Sequence, residues 1–206
     1  MTVLDSLESV AAAVRLMPSS GRAIVGIVGA PGAGKSTIAE ALVATLPSAA
    51  LLPMDGYHLP QAELVRLGRR DRMGAPDTFD VDGFVATLEA LRGTGAVSAP
   101  GFDREIEEPV PGAITISPSI PVVVVEGNYL LLNSGGWERV APLLDATLFV
   151  SLDRDIRLER LIARHERFGK SPADARAWAL GPDESNALII EATAARADHR
   201  IELPAR

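Results

Sequence analysis

Apolar residues gather along this chain in short runs, and between the runs they recur at helical spacing. Ala23 to Val28 (AIVGIV) is the first run, followed by a glycine-rich turn and a helical stretch, Ser36 to Leu46. A second run covers 49–54. Phe84, Val85, Leu88 and Leu91 then recur at the intervals that line one helix face, which predicts a helix over Asp82 to Leu91, closed by Gly93. Pro121 to Val125 (PVVVV) is β-branched and uninterrupted, the pattern of a strand buried on both faces. Ala146 to Leu152 repeats it, and Asp153 is placed to cap a helix that runs through Arg167. Helical spacing resumes from Ser171 to about Arg196, and His199 to Leu203 reads as a last strand.

The proline- and glycine-rich segment 98–117 predicts extended pieces, with a hairpin turning around Pro111-Gly112. At the start of the chain, Leu4, Leu7, Val10 and Val14 predict an amphipathic helix over 3–17, stopped by Pro18. That helix is expected either to cover the sheet or to meet a partner subunit in a homodimer. Buried strands alternating with helices predict an α/β fold, with a central, mainly parallel sheet and helices on both faces.

Composition narrows the function. The 206 residues are expected to form one domain, 1–206. A net charge of −7 argues against a nucleic-acid partner, so an anionic ligand would need a local basic cluster. The absence of cysteine excludes disulfides, cysteine-zinc sites and thiol nucleophiles, and is compatible with a cytoplasmic location. No secretory leader is recognised, and no apolar run reaches the roughly 20 residues of a membrane span, so no membrane insertion is expected.

The glycine-rich turn carries the chemistry. Gly29, Ala30, Pro31, Gly32, Ala33, Gly34, Lys35 and Ser36 match G-x-x-x-x-G-K-[ST] at every fixed position, with Thr37 next. Glycines let successive N–H groups point into one concavity and cradle phosphate oxygens. The helix that follows adds the positive end of its dipole, Lys35 reaches the outer phosphates, and Ser36 offers a hydroxyl to Mg²⁺. The reading is a site for ATP and Mg²⁺. A guanine-reading N-K-x-D is absent, which argues against a GTPase.

Two acids end predicted strands, Asp55 in MDGYHLP and Glu126 in VVVVEGNY. Ligands of parallel sheets gather at the carboxyl ends of strands. A kinase acting on a hydroxyl wants an acid there to take the hydroxyl proton and orient the oxygen. Asp55 suits that role, while Glu126 either holds Mg²⁺ through a water or polarises the attacking group. Farther on, Arg157, Arg160, Arg164 and Arg167 share one helical face, and Lys170 follows. Arg164 and Arg167 read as a clamp over the triphosphate in a lid spanning 157–180, and Arg157 as part of a solvated face.

GAPGAGKST, MDGYHLP, RMGAPDTFD (72–80), PGFDR (100–104) and VVVVEGNYLL (122–131) occur in the order seen in the phosphoribulokinase/uridine kinase family, which includes bacterial pantothenate kinases. The resemblance spans residues 23 to about 203. GNYLL and RMGAPDTFD look most like the branch labelled fructose transport system kinase. The resemblance implies a P-loop kinase fold with a mobile lid, and a small hydroxylated acceptor such as a sugar, a nucleoside or pantothenate. It makes Asp55 the base and Glu126 the second acid of the metal and acceptor site. Arg72 and Asp80, then Phe102, Asp103 and Arg104, flank the acceptor, with a loop, a helix cap and plain hairpin residues as the ordinary alternatives. Tyr57 and His58 are candidates for contact with a hydroxylated substrate, and Arg196 for the adenine. The Arg164 to Lys170 spelling departs from the uridine kinase pattern.

Overall fold

The computed structural model describes residues 2–4, 6–15 and 21–202. Six parallel strands form one sheet in the order β1-β8-β7-β2-β6-β3. They are β1 (Thr2–Leu4), β2 (Ala23–Gly29), β3 (Ala49–Pro53), β6 (Val122–Gly127), β7 (Ala146–Ser151) and β8 (His199–Glu202). An antiparallel hairpin, β4 (Val97–Asp103) with β5 (Glu108–Ile116), stands apart from the sheet.

Alternation along the strands divides the core. Ile24, Val28, Val123, Val125 and Phe149 face helix α4 (Val81–Leu91), helix α7 (Glu184–Glu191) and the hairpin. Val25, Ile27, Val124, Leu148 and Val150 face α1 (Leu7–Arg15) and α2 (Lys35–Thr45). Both faces are therefore covered, which is why the central strands are apolar without a polar side. Short α3 (Gln61–Arg66) follows β3, and α5 (Arg154–Arg167) and α6 (Pro172–Trp178) follow β7.

Asp153 caps α5 as expected, accepting from the N–H groups of Asp155 and Ile156. Three expectations are corrected. The first predicted helix is preceded by a strand: Thr2–Leu4 pairs with β8, and the helix spans Leu7–Arg15. Val3 and Leu4 fall in helical phase with the residues after them, so periodicity alone merges the two elements; Pro18 lies outside the described residues, as does Leu203. The buried Val10, Ala11 and Val14 pack α1 onto the sheet's own core. The hairpin turns at Arg104–Glu107, with Glu107 itself at φ 52. Pro111-Gly112 instead makes a bulge within β5, where the register shifts opposite Ala99 and Gly101. The long last helix is broken: a π-turn, Ala179–Asp183, holds Pro182 and separates α6 from α7. No helix among the described residues is long and apolar enough to cross a membrane.

Candidate active site

Strand β2 ends at the centre of the sheet, and residues 29–34 turn there into α2. Gly32 and Gly34 adopt φ of +80° and +94°, left-handed values that side chains resist. A Cβ on Gly32 would come within 2.7 Å of the Leu161 side chain and 2.9 Å of the Arg157 carbonyl oxygen. The loop is thus pressed against α5. Gly34 offers no side chain to the first N–H groups of α2, which leaves them and the helix dipole for an anion. Lys35 is only 8% exposed, and its Nζ donates to the Ala30 carbonyl at 3.2 Å. Burial pushes its pKa down, while Glu126 and Asp55 pull the other way.

The two acids meet beside this loop. Glu126 on β6 pairs in register with Ile27 of β2 and Pro53 of β3, and Asp55 lies two residues beyond Pro53. Ser36 Oγ donates to Glu126 Oε1 at 3.3 Å. Glu126 is buried, and burial together with the Asp55 charge raises its pKa to about 7. Burial would raise Asp55 as well, but His58, Arg104, Lys35 and Arg164 outweigh it and hold this carboxyl below its ordinary value. Arg104 Nη2 lies 2.6 Å from Asp55 Oδ2. His58 Nδ1 is 2.8 Å from the Asp55 main-chain oxygen, and its ring lies between Phe79 and Phe102. Burial lowers the pKa of His58, so near neutrality its charge contributes little and Arg104, Lys35 and Arg164 act on Asp55 instead. Ser36 and Glu126 present only oxygens, the donor set that a hard cation such as Mg²⁺ takes.

One cleft brings together Pro31, Lys35, Ser36, Asp55, His58, Phe102, Arg104 and Arg164. Glu126 borders it through Ser36. Other candidates lie elsewhere. The Tyr57 hydroxyl donates to Thr87 at 2.7 Å, with its ring edge-on to Phe84. Arg72 is engaged with Asp77 at the surface. Asp80 caps α4 by accepting from the Gly83 N–H, and Asp103 accepts from the Glu105 N–H in the hairpin turn. Arg167 and Arg196 are exposed, and Thr37 does not line the cleft. Arg157 corrects an expectation: it is buried rather than solvated, bonded to Glu184 and to the Pro31 carbonyl.

The cleft also holds residues not singled out from the sequence. Arg70, Met73 and Gly74 enter from the loop before α4, and Glu107 from the hairpin turn. Asn128 lies just past β6, His165 and Phe168 at the end of α5, and Asp183 and Asn186 on the last helical segment. Arg70 and His165 each adjoin a motif residue, but spacing gave no reason to prefer them.

A family model described as Phosphoribulokinase / Uridine kinase family matches residues 24–171. The chain belongs to this family. It is a P-loop kinase, a phosphotransferase acting on a small molecule, and such kinases use ATP, generally with Mg²⁺. An ATP-dependent kinase-like protein, notR', of Aspergillus versicolor is 41% identical over 133 residues, 60% of this chain and 77% of that protein. A uridine kinase of Leuconostoc citreum is 34% identical over 146 residues, 68% of this chain and 67% of its own. Among solved structures, a protein of Silicibacter sp. TM1040, provisionally named a fructose transport system kinase, is 36% identical with a TM-score of 0.88. The match covers 97% of this kinase and 99% of that chain.

Proposed function

We propose that this kinase transfers the γ-phosphate of MgATP to a hydroxyl of a small polyhydroxylated molecule, a sugar such as fructose, with Asp55 as general base. The observation that carries the reading is the meeting of Asp55, Lys35 and Arg164 in one cleft. Lys35, fixed at the loop and poorly hydrated, neutralises the outer phosphates. Asp55 is held ionised by its cationic neighbours, ready to accept the hydroxyl proton. Arg164 faces Asp55 and Glu126 from α5 and steadies charge that develops on the transferred group. Ser36 and Glu126 would hold Mg²⁺, which when bound neutralises phosphate charge. Residues 157–180 act as a lid, and Arg167 joins the clamp on closure. Phe102, His58 and Arg104 form the acceptor side.

The Silicibacter protein's name supports a sugar as the first acceptor to try. The test is ADP release from MgATP with fructose, other sugars, nucleosides and pantothenate, using wild type and Asp55→Asn. Release stimulated by one acceptor, and reduced at least about 100-fold in the variant, is expected. Wild-type turnover by Asp55→Asn would remove Asp55 from its role, and release indifferent to every acceptor would make the protein an ATPase.

A further inference from the structure

The wall of the cleft opposite the phosphate loop contains an unsatisfied buried amide. Asn186 is 5% exposed, lines the cleft, and makes no side-chain hydrogen bond among the described residues. Its Nδ2 lies 3.8 Å from where a Cβ on Gly74 would stand, so it faces the loop on the acceptor side. Three residues earlier, at the end of the π-turn, Asp183 is 8% exposed and lines the same cleft. One of its oxygens is bonded to His165 Nε2 at 2.6 Å. Asn128, half-buried past the tip of β6, lines this cleft as well. Both Asp183 and Asn186 lie beyond residue 171, where the family match ends.

We infer that Asn186 and Asp183 form the specificity wall of this kinase and recognise two adjacent hydroxyls of the acceptor, a vicinal diol. The inference rests on the kinase reading above. A buried amide with no partner bears the full desolvation of its donor and acceptor, and such groups in native proteins call for an explanation. A hydroxyl is the ligand group that both donates to and accepts from an amide. The neighbouring Asp183 carboxylate accepts only, so it takes a second O–H and repels any anionic group placed there. Residues three apart on a helical turn share a face, which sets the amide and the carboxylate side by side. Sugars and ribonucleosides both carry adjacent hydroxyls; pantothenate, whose hydroxyls are not adjacent and which is an anion, does not.

Calorimetric titration of the full chain, saturated with Mg²⁺ and a non-hydrolysable ATP analogue, tests this. The ligands are fructose, uridine, 2′-deoxyuridine and pantothenate, and the proteins are wild type, Asn186→Leu and the near-isosteric Asp183→Asn. A diol should bind wild type at least about tenfold more tightly than either variant, with affinity for the analogue within about twofold. Binding of fructose alone would name a sugar as the source. Binding of uridine but not of its deoxy analogue would name a riboside. Equal binding by wild type and both variants, preference for pantothenate, or binding of neither diol would overturn the inference. Failure of Asn186→Leu to fold leaves Asp183→Asn to decide. Diol binding without acceptor-stimulated ADP release would sink the kinase reading and keep the wall, whereas phosphorylation of pantothenate alone would do the reverse.

Discussion

Arg104 and Asp55 are joined across the cleft, Nη2 to Oδ2 at 2.6 Å, one from the tip of the hairpin and the other from just past a central strand. The contact uses one carboxylate oxygen and leaves the other for an acceptor hydroxyl. It also helps hold Asp55 ionised, against a burial effect of opposite sign.

Arg104→Ala should therefore move the acid limb of the pH profile of kcat/KM. The pKa of Asp55 is depressed, so the active ionised form persists to low pH; without Arg104 the carboxyl binds its proton more readily, and the limb shifts to higher pH. Arg104→Lys keeps a positive charge and should shift it less. An acid limb that stays in place in both variants would separate Arg104 from the proton chemistry.

Gly32→Ala tests the seat of the phosphate loop on α5. The added Cβ meets the Arg157 carbonyl oxygen at 2.9 Å and the Leu161 side chain at 2.7 Å, in a residue already at φ +80°. Overpacking of this kind costs about 1–3 kcal/mol. Urea unfolding should show that loss, and equilibrium titration should show weaker nucleotide binding. Gly68, also at positive φ but with open space around its missing Cβ, supplies the control: Gly68→Ala should leave nucleotide binding alone.

Much of this arrangement is legible in the sequence, for identifiable reasons. β2, β6 and β7 are buried on both faces, so their residues spell uninterrupted apolar runs. The phosphate loop is legible because glycines at positive φ and a lysine at fixed spacing have few other uses. The hairpin turn is hidden because Glu107 takes the left-handed position that glycine usually holds, while the conspicuous Pro111-Gly112 serves a bulge. Arg157 and Arg164 lie seven residues apart on one helix yet have different surroundings, and only the packing of α7 and the loop shows that one is buried and the other faces the cleft. Asp183 and Asn186 read as ordinary polar positions of a continuous helix. Pro182 was the one visible sign of a break there.

The buried pair of Arg157 and Glu184 ties α5 to α7 behind the cleft. Burial alone would raise the Glu184 carboxyl, but the bonds from Arg157 and Arg154 outweigh it and hold the pKa below the ordinary 4.5. A depressed acid contributes stability that is complete above its unfolded pKa and is lost as pH falls through the folded value. Glu184→Gln should thus cost about 3–5 kcal/mol at pH 7, since it leaves the Arg157 charge buried without a counterion. The difference from wild type should shrink below pH 4.5, where wild type too loses the carboxylate. Urea unfolding at pH 7 and at acid pH checks both halves, and a difference independent of pH would refute the account.

Glu126 gives the opposite sign. Burial and the Asp55 charge raise its pKa to about 7, so near neutrality a large share of this carboxyl carries a proton. A cation held by Ser36 and Glu126 must displace that proton, and so apparent affinity for Mg²⁺ should rise with pH through 7 and level off above it. One competing proton predicts about tenfold weaker Mg²⁺ per pH unit below that point. The measurement is the Mg²⁺ midpoint of ADP release at several pH values at saturating nucleotide. Glu126→Gln removes the titrating group, so its midpoint should be high and nearly flat over the same range. Ser36→Ala keeps the titration while weakening Mg²⁺ at every pH. A wild-type midpoint that does not vary between pH 6 and 8 would take Glu126 out of the metal site and leave it to act on the acceptor.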